Sequence, residues 1–133
     1  MILIDTSVLI NFFRGRETSG TKYLENLINE EKAFCINEFI YQEILQGSKD
    51  EKEFSTLKSY LSEIPLYSLK LGIRSYENAA SLNFRCRRKG VTIRSTVDLL
   101  IAETAIENNI PLLHDDEDFV NMARVITELK LAI

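Results

Sequence analysis

Cysteine is almost missing from this chain of 133 residues, in which Cys35 and Cys86 are the only two. They lie far apart in ordinary contexts, which excludes a disulfide framework and leaves a thiolate metal site without support. Both read as reduced core residues. Proline is equally scarce, with two, and glycine numbers five. No Ser/Gly-rich stretch, internal repeat or low-complexity tract is present, so nothing marks a linker between domains. No apolar run approaches the roughly eighteen residues of a membrane-spanning helix. The opening MILIDTSVLI lacks a basic leader and is interrupted by Asp5, so no signal peptide is expected either, and the expected location is the cytoplasm. Positive charge is in deficit as well: 16 Lys and Arg stand against 20 Asp and Glu, a net charge of −4. That balance argues against a surface that grips nucleic acid all over and leaves room only for a local basic strip.

Hydrophobic residues, by contrast, make up 45% of the chain. At this length that closes a core without staples, so a single domain over residues 1–133 is expected and disorder is not. Ile2 to Ile4 form a short apolar run suited to a central parallel strand, which is buried on both faces and need not alternate. Val8, Leu9, Phe12 and Phe13 then recur at helical spacing from Thr6 to Phe13. A second helix is expected from about Thr18 to Glu30, and Ala33 to Ile36 is another strand. Asn37 opens a helix that Gly47 ends, in accord with cap preferences. Amphipathic helices are expected over residues 51–62 and 69–89. Ser95 begins STVDLLIAETAIENN, an almost wholly apolar helix in which Ser95 and Asp98 have capping-box spacing. Pro111 to Leu113 supplies a buried strand, and a last weak strand is expected near Val125 or Leu129 to Ile133. Alternating strands and helices predict an α/β layer fold with a short parallel sheet.

Chemistry concentrates in acids. In open parallel sheets, sites form beyond the carboxyl ends of the strands, and both Asp5, after Ile-Leu-Ile, and the pair Asp115/Asp116, after Leu-Leu-His, fall there. Glu43 lies on the apolar stripe of its helix, one turn from Phe39 and beside Ile44. Asp98 opens a helix with little polar surface. Half-buried carboxylates need a partner, yet neither has a Lys or Arg at helical pairing distance on its inward face. A set of Asp and Glu oxygens suits a hard cation, Mg²⁺ or Mn²⁺, better than zinc. Such an ion acidifies a bound water and neutralises charge growing on a phosphate, so a carboxylate nest without a Ser-His or Cys-His pair points to phosphodiester hydrolysis.

The segments ILIDTSVLI, NEFIYQEILQG and STVDLLIAETAIENNIPLLHDDEDF resemble, in order and approximate spacing, the PIN-domain nucleases and in particular the VapC-type toxin ribonucleases. The resemblance covers essentially the whole chain. It implies a PIN-like three-layer fold, with a short parallel sheet of about four or five strands flanked by helices. It also implies endonucleolytic, Mg²⁺- or Mn²⁺-dependent cleavage of RNA, a homodimer, and inhibition by a small cognate VapB-like antitoxin. Carried over by motif, Asp5, Glu43, Asp98 and Asp116 align with the family's four acids, and Asp118 with its auxiliary acid. Asp5, Asp98 and Asp116 would hold the ion, while Glu43 orients or deprotonates the attacking water or completes a second metal position. The run Asp-Asp-Glu-Asp-Phe leaves Asp115 as an alternative to Asp116, with Asp116 preferred because it alone gives the D-x-D-F order.

Taken singly, Asp5 is equally well a helix cap and Asp98 part of a capping box; their coincidence with Glu43 and Asp116 favours the metal site. His114, the only histidine, reads as a strand-end or packing residue. Arg85, Arg87, Arg88, Lys89 and Arg94 are as well explained by the dipole at a helix C-terminus as by an RNA-backbone rail. An aspartate-dependent phosphatase would want D-x-D where Ser7 stands. A receiver domain would want its acidic pair after the first strand. A catalytically degenerate PIN-like module that binds RNA or protein is the non-enzymatic alternative, and the presence of all four acids counts against it.

Overall fold

The computed structural model describes residues 1–133. Seven helices surround a very narrow parallel sheet: β1 (Leu3–Ile4), α1 (Thr6–Phe13), α2 (Ser19–Asn29), α3 (Glu38–Gln46), α4 (Glu51–Leu61), α5 (Ile73–Arg88), α6 (Thr96–Glu107), β2 (Leu112–Leu113) and α7 (Glu117–Val125). Only β1 and β2 are regular strands, paired in parallel with Leu3 opposite Leu112 and Ile4 opposite Leu113. Three more segments join through single parallel bridges, Leu3 to Cys35, Ile36 to Leu66 and Leu112 to Leu131. The backbone ladder therefore runs Leu66, Cys35–Ile36, β1, β2, Leu131, five segments of which two count as strands. Bonds such as Ile4 N to Cys35 O at 2.9 Å and Leu112 N to Lys130 O at 2.9 Å carry it outward.

Leu3, Ile4, Leu112 and Leu113 are all fully buried. Consecutive strand residues point to opposite faces, so both faces of the sheet are covered and the architecture has three layers. Around it α1 packs on α2 and α3, while α5 packs on α6 and α7. The free cysteines Cys35 and Cys86 are both buried. No helix is long and apolar enough to cross a membrane.

Several expectations need correction. The helix expected from residue 69 begins at Ile73, because Gly72 sits at φ 60°, outside helical space, ahead of it. Ser95 does precede α6, but its side chain makes no cap hydrogen bond; the carboxylate of Asp98 faces other acids instead of the Ser95 backbone. Of the two places expected for a last weak strand, Val125 instead ends α7 (Glu117–Val125), started by Asp116, whose side chain accepts from Asp118 N, whereas the Leu129 to Ile133 segment does join the sheet, through the Leu112 to Leu131 bridge. The pairing segment at Leu66 was not anticipated, since a single bridge leaves no periodic signal.

Candidate active site

Each acid reaches the sheet edge by its own local logic. Asp5 ends β1 and caps α1, accepting from Ser7 N at 3.0 Å and Ser7 Oγ at 2.6 Å. The same hydroxyl accepts from Asp115 N at 3.0 Å, and Asp5 N donates to Leu113 O at 2.9 Å. Ser7 thus ties the carboxyl ends of β1 and β2 together, which sets Asp5 beside the loop that carries Asp116. Glu43, on the half-buried face of α3, accepts from Thr6 Oγ1 at 2.7 Å. Asp98 projects from the first turn of α6. Asp116 caps α7, and oxygens of Asp98, Asp116 and Asp118 lie within 4.8 Å of one another. The tightest trio is therefore Asp98, Asp116 and Asp118, with Asp5 and Glu43 close enough to act on it through their charge.

The four acids of residues 115–118 separate into different tasks. Asp115 accepts from Thr18 Oγ1, from Gly20 N at 3.0 Å and from Asn11 Nδ2 at 3.1 Å. It anchors the amino end of α2, where backbone N–H groups and the helix dipole favour an anion. A Cβ on Gly20 would sit 2.5 Å from Asp115 Oδ1, so glycine is required there for the close approach. Asp115 is thus turned to neutral donors, while Asp116 is the member of the pair that groups with Asp98 and Asp118. Glu117 is exposed. Asp118 pairs with Arg94, whose Nη2 and Nε donate at 3.0 and 3.3 Å. The Arg94 side chain is 77% exposed against 12% for Asp118, which puts the guanidinium on the solvent rim of the acids.

Electrostatics follow from this crowding. Asp5 is 4% exposed. Burial pushes its carboxyl up to about 6, against the lowering effect of the Ser7 bonds and with help from the charges of Glu43 and Asp116. Asp98 is pushed up to about 7, first by burial and then by Asp5, Asp116, Glu43 and Asp118. Negative charge here exceeds what Arg94 alone neutralises. An all-oxygen set with surplus negative charge is the donor chemistry of Mg²⁺ or Mn²⁺.

His114 is buried at the end of β2, accepts from Asp116 N at 3.1 Å through Nδ1 and packs against Phe119 at a centroid distance of 5.7 Å. Burial pushes its imidazole below the usual range. Its role is to hold the turn that presents Asp116. Sequence reasoning missed Arg94 as the counter-ion of Asp118 and the Asn11, Thr18 and Asp115 anchor. Pairs separated by 24 to 104 residues leave no local signal.

A family model described as the PIN domain matches residues 2–125. Curated relatives include VapC ribonuclease Mb1587 of Mycobacterium bovis and ribonuclease VapC11 of Mycobacterium tuberculosis, each 36% identical over 133 residues, covering 99% of this chain and 98% of the relative. Among solved structures, VapBC2 from Rickettsia felis, bound to a DNA fragment from its promoter, aligns with a TM-score of 0.74 at 24% identity over 98% of this chain and 97% of that one. VapBC-1 from nontypeable Haemophilus influenzae aligns with a TM-score of 0.71 at 20% identity over 98% and 96% of the two chains.

Proposed function

The chain belongs to the PIN-domain family, and from that membership we propose that it is a Mg²⁺- or Mn²⁺-dependent endoribonuclease, the toxin of a type II toxin-antitoxin pair. The observation that carries the reading is the gathering of Asp5, Glu43, Asp98, Asp116 and Asp118 from β1, α3, α6 and α7 around one another. Asp5, Asp98 and Asp116 are the residues assigned to the ion, with Asp118 held in reserve by Arg94. When bound, a divalent ion supplies an acidified water and neutralises charge on the phosphate under attack.

The protein's own groups do the rest. Ser7 fixes the orientation of Asp5 through two hydrogen bonds, which preorganises a ligand oxygen. Glu43, held by Thr6, would orient the attacking water and accept its proton or complete a second metal position. Water oxygen bonds to phosphorus, the bond from phosphorus to the 3′ oxygen breaks, and that oxygen takes up a proton, leaving a 3′-hydroxyl and a 5′-phosphate. Arg94, on the rim, offers its remaining N–H donors to the incoming phosphate.

Two apolar surfaces support the partners of this reading. A groove of about 1040 Å³ lined by Phe12, Phe13, Ile28, Leu57 and Tyr60 runs up to Glu43, and it fits an apolar segment of a small VapB-like antitoxin. Exposed Leu66, Leu71, Ile73 and Tyr76 support a homodimer. The test is direct: purified protein cleaves single-stranded RNA with Mn²⁺ or Mg²⁺, stops with EDTA, and loses activity in Asp5→Asn with the fold retained by circular dichroism. Cleavage by Asp5→Asn at the wild-type rate would reject the assignment.

A further inference from the structure

The C-terminal end of α5 carries a cluster that the acids do not use. Phe84 is 51% exposed, and two guanidiniums lie over its ring, with Arg87 Cζ 5.9 Å and Arg88 Cζ 5.5 Å from the centroid. Neither arginine nor the adjacent Lys89 has an acidic partner, whereas Arg85 of the same turn forms a bidentate pair with Glu128 at 2.7 and 3.0 Å. The turn is therefore divided. Arg85 fastens α5 to the segment after α7, and Arg87 and Arg88 point free charge at solvent over an aromatic face. A helix dipole needs only cations near its carboxyl end; it gives no reason for an exposed phenyl ring beneath them. Arg94 lies six residues beyond Arg88 and is paired with Asp118 at the rim of the acids, so the chain separates their backbones by at most about 22 Å. Free positive charge is thus gathered at Arg87, Arg88 and Lys89, a short stretch of chain before the paired Arg94, in a chain whose net charge is −4.

We propose that this end of α5 is a landing platform for single-stranded RNA, with one unpaired base stacked on Phe84 and the flanking phosphates held by Arg87 and Arg88. The proposal rests on the ribonuclease reading above and names where the substrate leaves the acids. A polymer with a flat π face at each unit and a regularly spaced anion matches an aromatic bordered by unpaired guanidiniums. The base must be unstacked, which selects single strands over duplexes.

The experiment uses the full chain carrying Asp98→Asn, so that RNA is held without being cut. Binding of a labelled single-stranded RNA of about 12 nucleotides is followed by fluorescence anisotropy in Mn²⁺ across a salt series. Adding Phe84→Leu, which keeps apolar bulk but removes the ring, is expected to weaken binding about 5- to 50-fold at every salt concentration. It should leave binding of the matching RNA duplex unchanged. Adding Arg87→Gln and Arg88→Gln together is expected to reduce the slope of log affinity against log salt by about 1.4, the share of two single-strand phosphates. Wild-type affinity and slope in both variants would overturn the proposal. So would a fall in molecular mass by light scattering that accounts for the loss, since the surface would then join two copies of this chain. The ribonuclease reading is judged separately, by whether the protein without Asp98→Asn cuts the same RNA in Mn²⁺.

Discussion

Helix α6 carries two acids that are both pushed up to about 7, Asp98 in its first turn and Glu103 further along, and their surroundings differ in kind. Glu103 is 3% exposed. Burial is the main cause of its shift, and its partners are Glu107 one turn on and Asn78 of α5, whose Nδ2 donates at 3.3 Å. Glu107 accepts Lys70 N at 2.7 Å on one oxygen, while its other oxygen is buried without a donor among the observed hydrogen bonds. A proton on Glu103 can be donated to Glu107, with the Ser75 hydroxyl close by, so a single proton and neutral neighbours satisfy this pair. Asp98 faces carboxyls from β1, α3 and α7, and no hydrogen bond contributes to its shift. One proton cannot balance five acids with a single arginine on the rim. Burial alone therefore does not single out a candidate metal site; the number of converging carboxyls and the elements they come from do.

The largest expected effect breaks the symmetry of the two acids outright. Asp98→Asn should lower Mn²⁺-supported RNA cleavage by at least about 100-fold, since replacing a ligand costs no less than disturbing the shell behind it. Glu103→Gln should leave cleavage within about twofold, as expected for a distant, independent site. Equal losses in gel-based cleavage rates would erase the distinction.

A second effect is thermal. Asp5 and Asp98 have folded values of about 6 and about 7, raised from 3.8, so the folded state binds protons more tightly than the unfolded chain does. The stability they confer is full below about pH 4 and is lost as pH rises through 6 and 7. Mn²⁺ competes with those protons, so it should raise the melting temperature markedly at pH 8 and little at pH 5. The same shift at both pH values would argue that manganese binds elsewhere.

Asp115 supplies the third contrast, an acid of the same run whose oxygens accept from Asn11, Thr18 and Gly20. Asp115→Ala removes the acceptor of Asn11, Thr18 and Gly20 and should cost about 1–3 kcal/mol in chemical denaturation. Stability unchanged from wild type would show that the anchor is unimportant. The smallest effect belongs to Glu103, raised from 4.5 to about 7. Its contribution is complete below pH 4.5 and disappears as pH rises through 7. With Mn²⁺ saturating, Glu103→Gln should therefore show a flatter melting profile from pH 5.5 to 8.5. Parallel profiles would mean that no proton is shared.

Much of this organisation was legible from local pattern. Thr6 to Phe13 and the Asn37-to-Gly47 helix emerge with their caps because 3.6-residue periodicity and N-cap chemistry act over a few residues. The acids of the candidate site were legible because strand ends and an acid on an apolar helix face are local anomalies. What was not legible depends on distance in the chain. The fifth sheet segment at Leu66 is one bridge long, the capping box at Ser95 gives way to charges that arrive from other elements, and the different partners of Asp115 and Asp118 are Thr18, Asn11 and Arg94, all far away in the chain. Helix α7 was masked by the acids at its start, which serve as its cap and first turn.

The most direct test of the shared-cation claim is anomalous scattering from crystals soaked in manganese. The account predicts a single strong peak within coordination distance of Asp98 and Asp116, with Asp5 directed at it and Glu43 alongside. Ordered side chains with no peak among them, or a peak held only by residues outside this group, would contradict it.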